Sequence, residues 1–219
     1  MRRPALAVLA LLICLVGSVA GHAAKLAGKF RGDTYTAPGG LFTAEYRLHG
    51  TSAADPCCQR SITDDYDPST GVGVVSFSNE YGAINGIVWG PTPSAGDATQ
   101  DLQAWLEVVV LPRLAKAAPT ARILRSEARQ VGEISALLAI ADLPGAAAIG
   151  EFDFATRTVK PGDSVRGLLI FRRGNYFYAL MNEMNLKGFF GPDRHYDPAA
   201  WDACQPELEA FLSVIRFAR

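Results

Sequence analysis

Residues 165–183 read Val-Arg-Gly-Leu-Leu-Ile-Phe-Arg-Arg-Gly-Asn-Tyr-Phe-Tyr-Ala-Leu-Met-Asn-Glu, and this stretch decides the fold. It predicts two strands, Val165–Arg172 and Tyr176–Glu183, joined by a turn at Gly174-Asn175. Both segments are rich in aliphatic, aromatic and β-branched side chains, a composition typical of strands that are buried on both faces. The hairpin is therefore predicted to lie at the centre of a sheet.

Further strands are predicted upstream of this hairpin. In Leu41–Leu48, apolar side chains at alternate positions indicate a strand with one buried face. Arg122–Gln130 and Glu133–Asp142 are predicted to pair around the turn Val131-Gly132. The remaining predicted strands are Gln59–Thr63, Val72–Phe77, Ala83–Trp89 and a short segment that contains Phe152 and Phe154.

Two helices are predicted from capping residues and apolar spacing. The first follows Asp97, with Gln100 in the capping-box position; Pro112 is expected to kink or end it, with a last turn reaching about Lys116. Its predicted core face comprises Leu102, Trp105, Leu106 and Val109. The second begins at Asp197-Pro198, and its predicted core face comprises Trp201, Cys204, Leu208, Phe211, Leu212 and Ile215. This order of elements predicts an α+β fold, a largely antiparallel sheet flanked by helices.

The first residues have the features of a cleavable export signal. Arg2 and Arg3 precede the apolar run Ala5–Val16, which is shorter than the roughly 20 residues of a membrane-spanning helix. Cleavage is expected near Ala23 or Ala24, with Val19-Ala20-Gly21 as the second choice. Lipidation of Cys14 is less favoured, because Leu12-Ile13 precede it where a small residue is needed. The chain is therefore divided into a signal peptide at 1–24, a tether at 25–33 and one domain at 34–219, exported to the periplasm or secreted.

Composition and charge limit the class of partner. The chain has 219 residues, 49% of them hydrophobic, and a formal net charge of −1. Loss of a leader that contains two arginines and no acid leaves the mature part at −3. A mildly acidic domain has no broad attraction to nucleic acid, so a nucleic-acid partner is not expected. No segment after the leader is apolar over enough residues to span a membrane.

Three cysteines remain after the leader is lost: Cys57, Cys58 and Cys204. An oxidising compartment favours a disulfide, and the adjacent pair rarely bonds to itself. Cys58 with Cys204 is therefore the predicted bridge, with Cys57 as the alternative partner. A metal site at the adjacent pair is less favoured, because neither CxxC spacing nor a nearby histidine completes a ligand set.

Catalytic, metal and cofactor motifs are weak. Gly162–Arg166 approaches the G-x-S-x-G pattern, but Arg166 stands where the last glycine is needed. His49 and His195 have no partner in the sequence pattern, so no catalytic residue, enzyme activity or cofactor is predicted. Asp65, Asp67 and Ser69 are a weak calcium candidate, which lacks the glycine and glutamate of a calcium loop; an acidic turn is the favoured interpretation.

Two places are weak candidates for binding. Asp193, Arg194 and His195 precede the last helix. One interpretation is a loop that recognises a ligand. The favoured interpretation is that these residues only lead into the helix. Trp89 precedes Gly90-Pro91 and is the tryptophan expected to be partly exposed.

Four segments resemble the PsbP/Mog1-like group: Thr34–Phe42, the helix with Trp105, the hairpin Arg166–Met181, and Phe211–Phe217, which fits the group's last helix. The resemblance implies an antiparallel sheet flanked by helices, in proteins that mostly bind partners rather than catalyse. The chain departs from the group at His49-Gly50-Thr51, where a proline-glycine-tryptophan element is common. The expected function is a non-enzymatic module that binds a protein partner. The alternative is a hydrolase or small-ligand-binding protein with a site built from distant loops.

Overall fold

The computed structural model describes residues 27–46, 61–78, 84–92, 98–145, 151–153, 158–160, 164–184 and 198–218. The predicted signal peptide lies outside these residues. The described strands are β1 (Lys29–Arg31), β2 (Thr34–Thr36), β3 (Phe42–Glu45), β4 (Ser61–Asp67), β5 (Val72–Ser78), β6 (Ile84–Pro91), β7 (Arg122–Val131), β8 (Ile134–Leu143), β9 (Glu151–Asp153), β10 (Thr158–Lys160), β11 (Ser164–Arg173), β12 (Tyr176–Met184) and β13 (Ile215–Phe217). The described helices are α1 (Ala98–Trp105), α2 (Leu111–Ala117) and α3 (Pro198–Ser213).

The central layer is a seven-stranded sheet in the order β4-β5-β6-β12-β11-β8-β7, in which each neighbouring pair is antiparallel. The predicted hairpin forms β11 and β12, with Gly174 at a φ of 59° in the turn, a conformation that favours glycine. Its central position is confirmed, because β12 is the middle strand. A second sheet has the order β1-β2-β3-β13, and β9 pairs with β10.

The two faces of the large sheet are buried against different layers. On β12, Tyr178 and Leu180 face the second sheet and α3, whereas Phe177 and Ala179 face α1 and α2. This alternation follows from the two-residue period of a strand. Three layers are therefore stacked: α1 with α2, the seven-stranded sheet, and a layer that contains the second sheet and α3. The predicted α+β fold is confirmed.

The first helix continues past Pro112. A π-helical segment, Leu106–Val110, joins α1 to α2, and the N–H of Leu111 donates to the carbonyl of Leu106. Pro112 lies in the first turn of α2, where a missing N–H costs little. The wider turn shifts the buried face by one position, so Val110 is fully buried and the predicted Val109 only partly.

Both ends of the predicted domain differ from the sequence-based expectation. The predicted tether contains β1, which pairs with β2 through a turn where Gly32 has a φ of 57°. The last helix ends at Ser213, and Ile215 belongs to β13 rather than to the helix, because β13 pairs with β3. Both segments complete the second sheet. The acidic turn predicted around Asp65, Asp67 and Ser69 also begins later, since β4 extends to Asp67.

Candidate functional site

Several of the predicted site residues lie outside the described residues. These are Cys57, Cys58, Asp193, Arg194 and His195, together with His49. The proposed recognition loop before α3 therefore stays a prediction.

The expected exposure of Trp89 is wrong, because its side chain is fully buried. The indole packs edge-on against Phe42 at 5.2 Å and stacks on Tyr66 at 6.3 Å. It also covers Gly73, its register partner on β5, where any Cβ would overlap the ring. Alternation along β6 turns Trp89 toward the second sheet, so this residue belongs to the core and not to a binding surface.

Cys204 corrects the predicted disulfide, since it carries a free, buried thiol. The thiol lies on the sheet-facing side of α3 against Gly167, where an added Cβ would overlap its Sγ atom. Burial, with a smaller contribution from Glu207, raises the pKa of Cys204 to about 12. The thiol is therefore protonated at neutral pH and packs as a small apolar group.

The calcium candidates are held by separate partners. The Asp67 carboxylate accepts hydrogen bonds from the Ser69 N–H at 2.8 Å, the Ser69 hydroxyl at 2.6 Å and the Thr70 hydroxyl at 2.9 Å. These bonds, led by the Ser69 hydroxyl, hold the pKa of Asp67 below its usual value. Asp65 instead lies 3.7 Å from Arg113 of α2. Within the described ranges, three or more metal-binding side chains do not converge at any point.

Arg166 and Glu183 form an ion pair that the sequence pattern did not indicate. The two residues are register partners on β11 and β12, 3.5 Å apart, and their side chains are 12% and 8% exposed. Burial lowers the pKa of Arg166, and the Glu183 carboxylate opposes that shift. Ser164 lies two residues earlier on the same face and is also buried. The pair therefore links two central strands across their ladder.

The edge of the large sheet beside β8 is formed by β7, a strand of ten residues. Among the described strands, β8 is its one neighbour. A register shift between Ile123 and Arg125 marks a bulge, after which the ladder runs regularly to Val131. Many of its side chains are exposed, among them Ser126, Ala128 and Gln130. The strand thus presents an accessible edge from Arg125 to Val131.

One face of β7 carries a row of charges, which we call the arginine row: Arg125, Glu127 and Arg129. The Glu127 carboxylate lies 2.8 Å from the Arg125 guanidinium and 3.2 Å from that of Arg129. The three side chains stay 41%, 39% and 36% exposed, in chain order. One carboxylate is thus shared between two guanidinium groups. The alternating arginines were visible in the sequence, but the edge position of their strand was not.

The opposite edge of the sheet is different. On β4, the Asp64 carboxylate accepts hydrogen bonds from the N–H groups of Ala27 and Gly28 at 2.9 and 2.8 Å, and from the Tyr35 hydroxyl at 3.0 Å. The acids of β4 thus fasten other parts of this chain. This difference makes β7 the better candidate for an interface.

No known protein-family model matches the chain, and no curated protein matches it either. Among solved structures, it is similar to a Bacteroides thetaiotaomicron protein, with 12% identity, a TM-score of 0.40 and 87% of this chain covered. The chain spans about half of that protein, since 50% of it is covered. It is also similar to cyanobacterial PsbP from Synechocystis, with 10% identity, a TM-score of 0.37, and 78% of this chain and 99% of that chain covered.

A third similar structure is a Pseudomonas aeruginosa protein of unknown function, described as a putative regulator. The identity is 14% and the TM-score 0.32, with 80% of this chain and 95% of that chain covered. These similarities concern the fold alone. Among the described residues, no helix has the length and apolar character needed to cross a membrane.

Proposed function

We propose that this protein is an exported, non-enzymatic binding module of the cell envelope or secreted space, and that it holds a protein partner along β7. The supporting observation is that β7 is a ten-residue strand at the edge of a seven-stranded sheet. An edge strand presents a row of backbone N–H and C=O groups that an extended segment of another chain can pair with.

The length of β7 favours an edge strand that binds a partner over an edge strand without a function. Strands are usually about 5–6 residues long, and natural edges are commonly kept short or covered. Here the regular part of the edge, Arg125–Val131, follows a bulge that bends away the start of the strand. The exposed ladder is therefore long enough for a partner segment to pair over several residues.

Export rests on the leader at residues 1–24, whose two arginines and apolar run fit a secretory signal. The proposed location is the periplasm or the secreted space. We assign the domain to the PsbP/Mog1-like group, whose members mostly bind partners, as a further part of the same proposal. The order of strands and helices supports this assignment.

Site-specific photo-crosslinking tests the binding role. A benzophenone amino acid replaces Ala128, an exposed residue in the regular part of β7, in the tagged full-length chain. The matched control places it at Val108, which is 73% exposed on the π-helical segment between α1 and α2. We expect the same partner to be captured repeatedly at Ala128 and not at Val108.

Equal capture at both positions contradicts the proposal, because it indicates nonspecific contact. Capture at Val108 alone places the interface on the helical layer, and repeated failure at both positions removes the binding role from this edge.

A further inference from the structure

We infer that the partner held along β7 is a second copy of this chain, whose own β7 pairs with it as an antiparallel strand about a two-fold axis at Ala128. This inference rests on the proposed function of β7 and names the occupant of the edge. It follows from the backbone groups that point away from β8, from the signs of the charges that would face one another, and from the position of the helices that cover the sheet.

The turn between β7 and β8 determines which backbone groups point away from β8. Val131 and Ile134 are register partners that close a turn of two residues, Gly132 and Glu133. The pair that closes such a turn exchanges both of its backbone hydrogen bonds, and hydrogen-bonded and non-hydrogen-bonded pairs alternate along an antiparallel ladder. The N–H and C=O groups at every second residue before Val131 therefore face β8, and those of the residues in between face the open edge. The residues with outward-facing groups are Ser126, Ala128 and Gln130.

Ala128 lies at the middle of the regular ladder, which runs from Arg125, after the bulge, to Val131. A two-fold axis at Ala128 therefore pairs the whole regular segment of one copy with the same segment of the other. The pairs that exchange hydrogen bonds are then Ala128 with Ala128 and Ser126 with Gln130, because these residues have the outward-facing groups. The side chain at the axis is only a methyl group, so two copies of it fit side by side.

The charges select this register. An axis at Ala128 places Glu127 of each copy opposite Arg129 of the other, and opposite charges that face one another across antiparallel strands are stabilising. An axis at Glu127 instead brings the two Glu127 side chains together and places Arg125 opposite Arg129. An axis at Arg129 brings the two Arg129 side chains together. Both alternatives place like charges opposite one another, which is destabilising, and this comparison depends only on the signs of the facing charges.

The ends of the paired segment are also compatible. In the register centred on Ala128, Arg125 of one copy lies opposite Val131 of the other. Val131 is half-buried and packs against the core. An arginine side chain can lay its aliphatic stem along such an apolar surface while its guanidinium group stays in water. The ends of the interface therefore gain apolar contact without burying a charge.

The helices that cover the large sheet leave its edge accessible to a second copy. Helix α1 packs mainly on β8 and β11, and α3 packs mainly on β11 and β12. Both helices therefore lie inward of β7. Helix α1 reaches the edge strand through a side-chain hydrogen bond, which Ser126 donates to Gln103 at 3.1 Å. Pairing of the two edges would join both seven-stranded sheets into one continuous sheet.

The dimer is expected to be reversible. The regular segment Arg125–Val131 of each copy makes a smaller contact than the interfaces of permanent dimers. We expect sedimentation equilibrium of the purified protein to show a monomer–dimer equilibrium between about 5 and about 500 µM. A protein that stays monomeric over this whole range overturns the inference.

A charge exchange tests the register. Glu127→Arg and Arg129→Glu each place like charges opposite one another, so each is expected to weaken the dimer about tenfold. The double variant restores opposite charges across the pair and is expected to recover most of this loss. The control Arg172→Glu changes an exposed residue on β11 and is expected to leave the equilibrium unchanged. Circular dichroism confirms that each variant is folded. A double variant that dimerises as weakly as the single variants contradicts this register.

Disulfide trapping is a second test, which does not depend on charge. Glu127→Cys and Arg129→Cys are prepared separately in a Cys57→Ser, Cys58→Ser background and are then mixed under oxidising conditions. The two positions face one another in a non-hydrogen-bonded pair, whose Cα atoms lie about 4.5 Å apart and within reach of a disulfide. We expect the mixture to form a covalent dimer faster than either variant alone. Equal rates in all three samples contradict the register.

The outcomes separate this inference from the proposed function. Capture of a different protein at Ala128, by a chain that stays monomeric, overturns the second copy as the occupant and keeps the binding edge. Failure of both the capture and the dimer overturns both. A dimer that forms equally well in the wild type, in Glu127→Arg and in Arg129→Glu places the contact on another surface and overturns the inference.

Discussion

Arg166 on β11 and Glu183 on β12 are register partners, and their charged groups meet at 3.5 Å with both side chains about nine-tenths buried. Removing the Glu183 carboxylate leaves the Arg166 guanidinium without this counter-ion in a site that water reaches poorly. Glu183→Ala is therefore expected to lower the free energy of unfolding by about 3 kcal/mol in urea denaturation.

The double variant Arg166→Met with Glu183→Leu is the control for that prediction. Replacing both charges with apolar groups of similar size is expected to cost less than the single substitution. If the double variant loses more stability than Glu183→Ala, the ion pair contributes net stability and the expectation is wrong.

The contact between Gly167 and Cys204 predicts a compensating pair of substitutions. Gly167→Ala forces a methyl group into the Cys204 thiol, so it is expected to destabilise the fold by about 2 kcal/mol. Cys204→Ala in the same chain makes room for that methyl group and is expected to recover most of the loss, as measured by a double-mutant cycle. Additive losses would show that the two residues do not contact one another.

The buried thiol of Cys204 predicts its reactivity. In a Cys57→Ser, Cys58→Ser background, iodoacetamide at pH 8 is expected to leave Cys204 unmodified in the native protein and to modify it in urea without reductant. Protection in the native state follows from burial and from a pKa raised to about 12. In the chain with all its cysteines, a different result would demonstrate a disulfide at Cys204: the residue would resist iodoacetamide in urea and react only after a reductant is added.

The same thiol predicts a loss of stability in alkali. Its pKa rises from 9.0 for an unperturbed thiol to about 12 in the fold, so the folded state holds the proton more tightly than the unfolded state. The resulting stabilisation is complete below pH 9 and is lost as the pH rises toward 12. The check is to measure the free energy of unfolding of the wild type and of Cys204→Ala between pH 8 and pH 11. As the pH rises, the wild type is expected to lose more stability than the variant. A difference between the two proteins that stays constant over this range contradicts the prediction.

The leader predicts the mass of the exported protein. Cleavage after Ala23 or Ala24 leaves Ala27, whose N–H donates to the Asp64 carboxylate, in the mature chain, so the strands of the second sheet are retained. Intact mass spectrometry of the protein from the cell envelope or medium is expected to show a start at residue 24 or 25. Recovery of the chain with Met1 intact contradicts cleavage.

Local sequence patterns predicted the long strands. The strands that were not predicted are short, and one of them pairs with a strand far away in the sequence. The hairpin β11–β12 could be predicted because its turn lies between two long apolar segments and fixes their register. β1 and β13 have three residues each, too few for a periodic pattern, and β13 pairs with a strand about 170 residues earlier in the sequence. Such short strands depend on contacts that the sequence pattern does not display.

The candidate site was missed for a similar reason. The sequence predicted β7 and its pairing with β8, but it did not order the strands across the sheet, so the exposed edge could not be recognised. Trp89 shows the opposite error: its neighbours Gly90 and Pro91 suggested exposure, whereas the ring lies over Gly73 on the neighbouring strand. Which side chains lie at an edge and which lie in the core is decided by the tertiary arrangement.

Backbone-amide hydrogen exchange on the purified complex with the captured partner tests the binding edge most directly. We predict that exchange slows at alternate amides within Arg125–Val131, where the partner's carbonyls accept hydrogen bonds from β7, while exchange on β4 is unchanged. Unchanged exchange throughout β7, with protection gained on another element, would contradict the central claim that this edge holds the partner.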